Sequence, residues 1–387
     1  MLNLMKSSKI YATIGLMRIG ILGGGQLGRM LALAGYPLGF RFLLLDPDAA
    51  ACGGDVAPLL TADYDDPVAL ERLASECAVV TYDFENVPAG SAETLARRVA
   101  VHPAPAALAC AQDRWHEKQL FTKLGIATPD YAPVDSRDDL AAALARIGLP
   151  AVLKTRRFGY DGKGQVVLRT TAQIDTEWRR FAGQPLLLEA FVPFDVECSI
   201  IAVRDAGGQI ATYPLTRNLH RDGILAASLA PYPCGATLYG EAVNWISRLL
   251  DYFSYIGVMA LELFVAGDRL LANEFAPRVH NSGHWTIDGA ATSQFENHLR
   301  AIAGLPLGAT DCRGAALMLN WIGEMPERDP WLALPGLHWH DYRKTPRPGR
   351  KLGHATLIAE DNDALRKNGA ELAAQYDPAM LEKLLKN

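Results

Sequence analysis

The chain predicts a mixed fold, α/β at its N-terminus and α+β beyond it. Three observations carry that reading. Over the first hundred or so residues, short apolar runs alternate with helical stretches, which implies a parallel sheet covered by helices. After about residue 115 the texture changes to a small unit built around a glycine-rich loop between two strands. The remainder pairs neighbouring strands across short turns. At 387 residues the chain exceeds one hydrophobic core and suffices for two or three domains.

The elements follow in order. Residues 1–16, "MLNLMKSSKIYATIGL", precede a second Met. Their apolar region is broken by Lys6, Ser7, Ser8 and Lys9, and no small-residue cleavage site follows, so they do not read as a signal peptide. They are expected to be a disordered extension, with Met17 the functional start. "RIGIL" reads as a buried parallel strand and "GQLGRMLALAGYPLG" as a helix opened by glycine. Between them, Gly23-x-Gly25-x-x-Gly28 has the form of a dinucleotide-binding fingerprint. "RFLLLDPD" is a strand ending in Asp46, near where such a fingerprint expects a ribose-binding acid. "PVALERLASEC" is helical, "AVVTYDF" a third strand and "AGSAETLARRV" a further helix.

Beyond this unit, "DRWHEKQLFTKLG" is a charged amphipathic helix, and "DDLAAALARIGLPAVLKT" a helix feeding a strand that ends at Lys154. "RRFGYDGKGQVVLR" is the glycine-rich loop, and "PLLLEAFVP" a strand ending in an acid. "ECSIIAVRD" and "QIATYPLTRN" pair across "AGGQ"; "GEAVNWISRLLDYFSY" is a helix. "GVMALELFV" and "RLLANEFAP" are strands joined across "AGD". "TSQFENHLRAIAG" is a helix closed by Gly304, and the tail after Asp361 reads as one or two surface helices.

Composition narrows the function. A net charge of −5 without a long basic run argues against nucleic acid as partner. No apolar run approaches the roughly 20 residues of a membrane helix. Six scattered cysteines without C-x-x-C spacing suggest neither zinc nor a disulfide framework; reduced, mostly buried thiols of a cytoplasmic protein are expected.

Four stretches carry chemistry. In "LKTRRFGYDGKGQ", Gly159, Gly162 and Gly164 let the backbone approach a ligand and cradle phosphate oxygens, with Lys154 adding a cation. The loop is not a Walker A motif. A flexible hairpin with solvated charges would look the same locally. Glu262 and Glu274 are acids within apolar strands, costly to bury unless paired or bound to metal. With a three-residue hairpin loop Glu262 lies opposite Glu274, and a slip by one puts Asn273 there instead. Repelling carboxylates side by side suit Mg2+; local arginines could satisfy them too. "EFAPRVHNSGHWT" brings Arg278, His280, Asn281, Ser282 and His284 directly after the acidic strand, a candidate substrate anchor. "DYRKTPRPGRKLGH" gathers Arg343, Lys344, Arg347, Arg350 and Lys351 and suits a phosphate, or is a solvated basic loop.

In this order, "GGGQLGRML", "YDFENVP", "DRWHEKQLF", "GYDGKGQ", "YPLTRNLHRDGIL", "GVMALELF", "NEFAPRVHNSGHWT" and "RPGRKLGH" resemble the ATP-grasp superfamily. Within it they look like the 5-(carboxyamino)imidazole ribonucleotide synthases, over about residues 18–357. The resemblance implies an ATP-grasp fold: a Rossmann-like N-terminal domain over 17–115, a small lid over 116–190, and a larger C-terminal domain over 191–387 with a substrate-phosphate loop near 343–354. It implies a cytoplasmic, homodimeric ligase of purine biosynthesis. ATP and bicarbonate would carboxylate the exocyclic amine of 5-aminoimidazole ribonucleotide (AIR) through carboxyphosphate and CO2, releasing ADP and phosphate.

Carried over residue by residue, Arg114 and Lys154 contact nucleotide phosphates, and Gly159, Tyr160, Asp161, Gly162, Lys163, Gly164 and Gln165 close over them. Glu189, Ala190, Phe191 and Val192 run along the adenine. Glu197 holds the ribose hydroxyls, and His220 and Asn273 belong to the nucleotide site. Glu262 and Glu274 hold Mg2+. On the substrate side stand Gln26, Glu85, Tyr160, Asn281, Ser282, Lys344 and Arg350, with the last two and Gln26 at the 5′-phosphate. The positive N-terminus of the helix at Gln26 faces the same phosphate. Asp161, Arg278, His280 and Lys344 are the catalytic candidates: Asp161 as general base or its orienting group, Arg278 and His280 on bicarbonate and carboxyphosphate. Lys163 and Arg221 differ from some relatives without removing a proposed ligand. An NAD-dependent oxidoreductase would leave the glutamate pair and "GYDGKGQ" unexplained. "RVHNSGHWT" argues against other ATP-grasp ligases, and Lys154, Glu262 and Glu274 argue against a regulatory protein without turnover.

Overall fold

In the computed structural model, residues 17–159, 164–181 and 183–373 are described, together with 382, 384 and 385. Three sheets organise them. The first is parallel, in the order β3–β2–β1–β4–β5: β1 (Arg18–Leu22), β2 (Arg41–Asp46), β3 (Leu59–Thr61), β4 (Val79–Tyr82) and β5 (Ala100–Val101). Ile19, Ile21, Leu43 and Leu44 are buried, as parallel strands covered on both faces require. The three central strands match the sequence reading. The edge strands β3 and β5, of 3 and 2 residues, are too short to leave a periodicity.

The second sheet is antiparallel, β6–β9–β7–β8: β6 (Tyr131–Val134), β7 (Ala151–Thr155), β8 (Gln165–Leu168) and β9 (Leu186–Ala190). β6 escaped the sequence reading; its Pro133 is tolerated because the strand lies at an edge. The helix Arg137–Ile147 starts at Ser136, whose Oγ accepts the Asp139 N–H at 3.1 Å.

The third sheet has nine antiparallel strands, β15–β14–β10–β12–β13–β16–β18–β17 with β11 beside β10. They are β10 (Val196–Arg204), β11 (Ile210–Thr212), β12 (Thr216–Arg221), β13 (Ile224–Ala230), β14 (Gly257–Ala266), β15 (Arg269–Ala276), β16 (Ala315–Ile322), β17 (Leu337–Asp341) and β18 (Lys351–Ala359). The helix Arg114–Lys123, mostly on the lid side of the expected boundary at 116, packs on β15 and buries Leu120 and Phe121 in the core of this sheet. The tail helix Asn362–Ala373 is more than a surface element: Leu365 is buried against the β16–β18 face, where Leu384 joins it.

The β14–β15 hairpin faces Glu262 with Glu274, but not through a three-residue loop. Ala266 pairs with Arg269, so the turn holds two residues, Gly267 and Asp268. Continued regularly, that register would set Asn273 against Glu262. A bulge after Glu262 leaves Asn273 as the extra residue and brings Glu274 opposite.

Candidate active site

One cleft of about 720 Å³ opens between the three sheets. One end of it rests on a buried charge network. Lys154 Nζ, on β7, donates to Glu189 Oε2 at 2.9 Å, and Lys118 Nζ stands 3.7 Å from the same oxygen. Burial alone would raise the Glu189 carboxyl; the two ammonium groups outweigh it and hold it at about 2. Arg114 Nη1 donates to Glu274 Oε2 at 2.7 Å, and its Nη2 reaches the Gly159 carbonyl at 3.3 Å. It thus ties the start of the glycine loop to the acidic strand. Gly164 has φ +73°, and a Cβ there would stand 2.6 Å from Thr155 Oγ1. Gln165 lines the cleft. Tyr160, Asp161, Gly162 and Lys163 lie outside the described residues.

The turn Arg114–Lys118 clamps the bulged strand. Besides Arg114 on Glu274, Glu117 Oε1 accepts the Phe275 N–H at 2.7 Å. Lys118 Nζ donates to the carbonyls of Asn273 at 2.8 Å and Ala272 at 3.2 Å and to Thr128 Oγ1 at 2.9 Å. Four consecutive residues, 272–275, are therefore held by one helical turn. Burial, then the Glu274 charge, pushes Glu117 up to about 8. The sequence reading missed Glu117 and Lys118. Their spacing from Arg114, three and four residues on, put all three on one helix face and could have revealed them.

Burial and then the Glu274 charge raise Glu262 to about 7, while Arg114 overcomes burial and holds Glu274 below its ordinary value. Asn273 Oδ1 beside them is buried without a partner. Two carboxylates and an amide oxygen are hard donors that fit Mg2+. Among the described residues no group of three or more His, Cys, Asp or Glu could hold a metal ion alone. Nearby, Glu197 Oε2 and His220 Nδ1 are 2.9 Å apart. Burial lowers the His220 pKa, but the Glu197 hydrogen bond outweighs it and lifts it above its usual value.

Along the expected adenine strip, the Ala190 N–H already bonds Asp130 O at 2.8 Å, the Phe191 N–H bonds Pro150 O at 3.2 Å, and the Val192 carbonyl accepts from Phe194 N at 3.0 Å. The apolar wall there joins Phe191, expected from the resemblance, to the stacked pair Phe194–Phe264 at 4.8 Å, which carries no charge and gave no signal of its kind.

On the other side, Arg278 Nη2 donates to Glu85 Oε2 at 2.6 Å across the sheets, and its Nε is buried without a partner. Neither amide atom of Asn281, which lines the cleft, has a partner. His280 Nε2 lies 3.3 Å from Glu262 Oε1; burial and then Arg278 hold this ring well below its ordinary pKa, hence neutral. Ser282 differs from expectation: it is fully buried behind His280, with its Oγ 2.9 Å from Nδ1. His284 also turns inward, 3.1 Å from the Tyr342 hydroxyl.

Lys344 Nζ donates to Gln26 Oε1 at 2.7 Å, joining the far ends of the chain. Arg347, Arg350 and Lys351 line the same end; Arg343 does not. The expected open helix N-terminus needs correction. Asp83 Oδ2 accepts the Gly28 N–H at 2.7 Å, so a buried carboxylate occupies the first turn. Burial raises Asp83 to about 6. Asp46 is also taken, accepting the Gly24 N–H at 2.7 Å and the Tyr64 hydroxyl at 3.1 Å.

Known proteins match this arrangement. A ribonucleotide synthetase preATP-grasp domain matches residues 16–112, an ATP-grasp domain residues 119–295, and a phosphoribosylaminoimidazole carboxylase C-terminal domain residues 316–368. The chain is 50% identical over 358 residues to the N5-carboxyaminoimidazole ribonucleotide synthase of Pseudomonas aeruginosa, covering 92% of this chain and 99% of that one. The crystal structure of N5-carboxyaminoimidazole ribonucleotide synthetase from Thermus thermophilus is similar with a TM-score of 0.89 at 50% identity, over 93% of this chain and 98% of that one. The Aspergillus clavatus N5-carboxyaminoimidazole synthase, in complex with ADP and 5-aminoimidazole ribonucleotide, is similar with a TM-score of 0.85 at 28% identity, over 95% and 98%.

Proposed function

The chain belongs to the N5-carboxyaminoimidazole ribonucleotide synthase family of ATP-grasp enzymes, and we infer that it converts AIR to N5-carboxyaminoimidazole ribonucleotide with ATP in purine biosynthesis. One observation supports this most directly. Lys154, the Arg114–Glu274 pair and the Lys344–Gln26 pair open onto the same cleft, so a triphosphate and a phosphorylated substrate can meet there.

In this reading Lys154 and Arg114 meet the nucleotide phosphates, and Gly159 to Gln165 close over them. Glu197 and His220 take the ribose hydroxyls, with Phe191, Phe194 and Phe264 against the base. Glu262 and Glu274, with Asn273 beside them, would hold Mg2+, whose charge would offset that of the phosphates. Bicarbonate oxygen attacks the γ-phosphorus, the bond to the β–γ bridging oxygen breaks, and ADP leaves. Arg278 and His280 steady bicarbonate and the resulting carboxyphosphate, which separates into CO2 and phosphate inside the closed site. Lys344, Arg350 and Gln26 hold the AIR phosphate, with Glu85 and Asn281 along the substrate. Tyr160 is carried over as a further substrate contact, and Asp161 takes or orients the amine proton as nitrogen bonds to carbon.

We further infer a cytoplasmic homodimer. Both are what the resemblance to this family implies; separately, no helix among the described residues is long and apolar enough to cross a membrane. Light scattering checks the assembly. The function itself is tested by ADP release from Mg·ATP and bicarbonate with and without AIR; the absence of AIR-dependent ADP would refute it. Asp161→Asn with full turnover would remove the base role.

A further inference from the structure

A file of buried polar side chains crosses the nine-stranded sheet, and nothing in the reaction above uses it. Ser228 on β13, Asn218 on β12 and Ser199 on β10 sit on three adjacent strands, and each is at most 4% exposed. Ser228 Oγ donates to Asn218 Oδ1 at 2.8 Å, and Asn218 Nδ2 donates to Ser199 Oγ at 3.0 Å. Ser199 Oγ donates to Ser282 Oγ at 2.8 Å, which lies 2.9 Å from His280 Nδ1. The far ring nitrogen, Nε2, is the one that lies 3.3 Å from Glu262 Oε1 at the cleft wall.

Such groups are costly in an apolar sheet unless every one is bonded, and here each has a partner. The file also has a direction. An amide nitrogen only donates, so the Ser199 proton is left for Ser282 and the Ser282 proton for His280. The backbone N–H of Ser282 points at the same Nδ1 from 3.3 Å, a longer contact that assists the 2.9 Å hydroxyl bond without replacing it. Nδ1 is therefore an acceptor, and the ring proton sits on Nε2.

We propose that Ser199, Asn218 and Ser228 are positioning residues that, through Ser282, lock His280 as its Nε2–H tautomer. His280 then meets an anionic oxygen in the cleft only as a hydrogen-bond donor, never as a base. This rests on the reading of His280 as a contact of bicarbonate. It explains why Ser282 belongs to the site without touching the substrate.

The test uses the full chain labelled with 15N-histidine, with the His280 signals identified by their loss in His280→Gln. Long-range proton–nitrogen spectra should show Nδ1 bare and Nε2 protonated in the wild type. In Ser199→Ala and Ser282→Ala the second tautomer should appear. The KM for bicarbonate should rise roughly fivefold to tenfold, the loss of one good hydrogen bond, while those for ATP and AIR stay within about twofold. A wild-type ring protonated on Nδ1, or variants with unchanged spectra, would overturn the proposal. A shifted tautomer with an unchanged bicarbonate KM would uphold the file and overturn the bicarbonate contact. If either variant fails to fold, Ser228→Ala, at the end farthest from the cleft, supplies the same readouts.

Discussion

Replacing Lys118 by Met keeps the side-chain length and removes its charge. The lost contacts are the hydrogen bonds to Asn273 O, Ala272 O and Thr128 Oγ1, at 2.8, 3.2 and 2.9 Å, and the 3.7 Å approach to Glu189. The two carbonyls belong to the bulge that sets Glu274 opposite Glu262. Orphaning a buried carbonyl costs about 1–3 kcal/mol. Leaving buried Glu189 with one cation instead of two adds to this. Against these, the variant no longer buries an ammonium, whose pKa burial already holds below its ordinary value. The expected net loss is about 2–4 kcal/mol of stability. If half of that is felt at the bulge, the KM for Mg·ATP should rise about fivefold to thirtyfold, since 1.4 kcal/mol is tenfold. The KM for AIR, bound at the other end, should move less than about twofold. Initial rates with each substrate varied, beside thermal unfolding, read both effects. An unchanged ATP KM, or equal rises for ATP and AIR, would refute the idea that Lys118 acts through Glu274.

Glu262→Gln removes a carboxyl that burial, and then the Glu274 charge, raise to about 7. An acid raised by folding destabilises progressively as pH climbs from its ordinary 4.5 through that value. The variant should therefore melt higher than the wild type at pH 8, gain little at pH 4, and lose the extra stabilisation that Mg2+ adds to ADP; an undiminished Mg2+ effect in thermal shifts would contradict this. Glu189 is the opposite case, held at about 2 against an ordinary 4.5, so its stabilisation is complete above pH 4.5 and fades as pH falls through 2. Glu189→Gln should cost about 3 kcal/mol at pH 7 and roughly half that at pH 3, measured by urea unfolding; a pH-independent difference would rule out the ion pairs as its source. Gln26→Ala frees Lys344 and should raise the KM for AIR about threefold to tenfold while sparing that for ATP; the reverse pattern would mean this end of the cleft does not bind AIR.

What the sequence made legible follows from how local each signal is. β1, β2 and β4 announce themselves because burial on both faces leaves apolar runs between helices. β16 is as apolar, "AALMLNWI", but nothing beside it fixes strand over helix. Glu262 and Glu274 stood out as acids inside apolar strands, yet their facing depends on a bulge that no composition encodes. Arg114 came through a motif, whereas Glu117 and Lys118 were hidden by an ordinary charged helix. Ser199, Asn218 and Ser228 lie on separate strands, and single small polar residues carry no pattern until the sheet brings them together.

The glycine fingerprint shows the same limit in reverse, a strong local pattern whose ligand is set from afar. The glycines do make room for an anion, and the anion is the chain's own. A Cβ at Gly23, where φ is +112°, would stand 1.5 Å from Asp83 Oδ1, and one at Gly28 would stand 3.0 Å from Asp83 Oδ2. With the Gly28 N–H already donated to Asp83, a pyrophosphate would meet a carboxylate instead of free amides. Asp46, the acid a dinucleotide ribose would need, is bonded to Gly24 and Tyr64. What remains for the cleft is the side chain of Gln26, and it already holds Lys344. The loop therefore reaches the cleft through a side chain and a distant lysine, at the end proposed above for the substrate phosphate, and its spacing alone could not have said so.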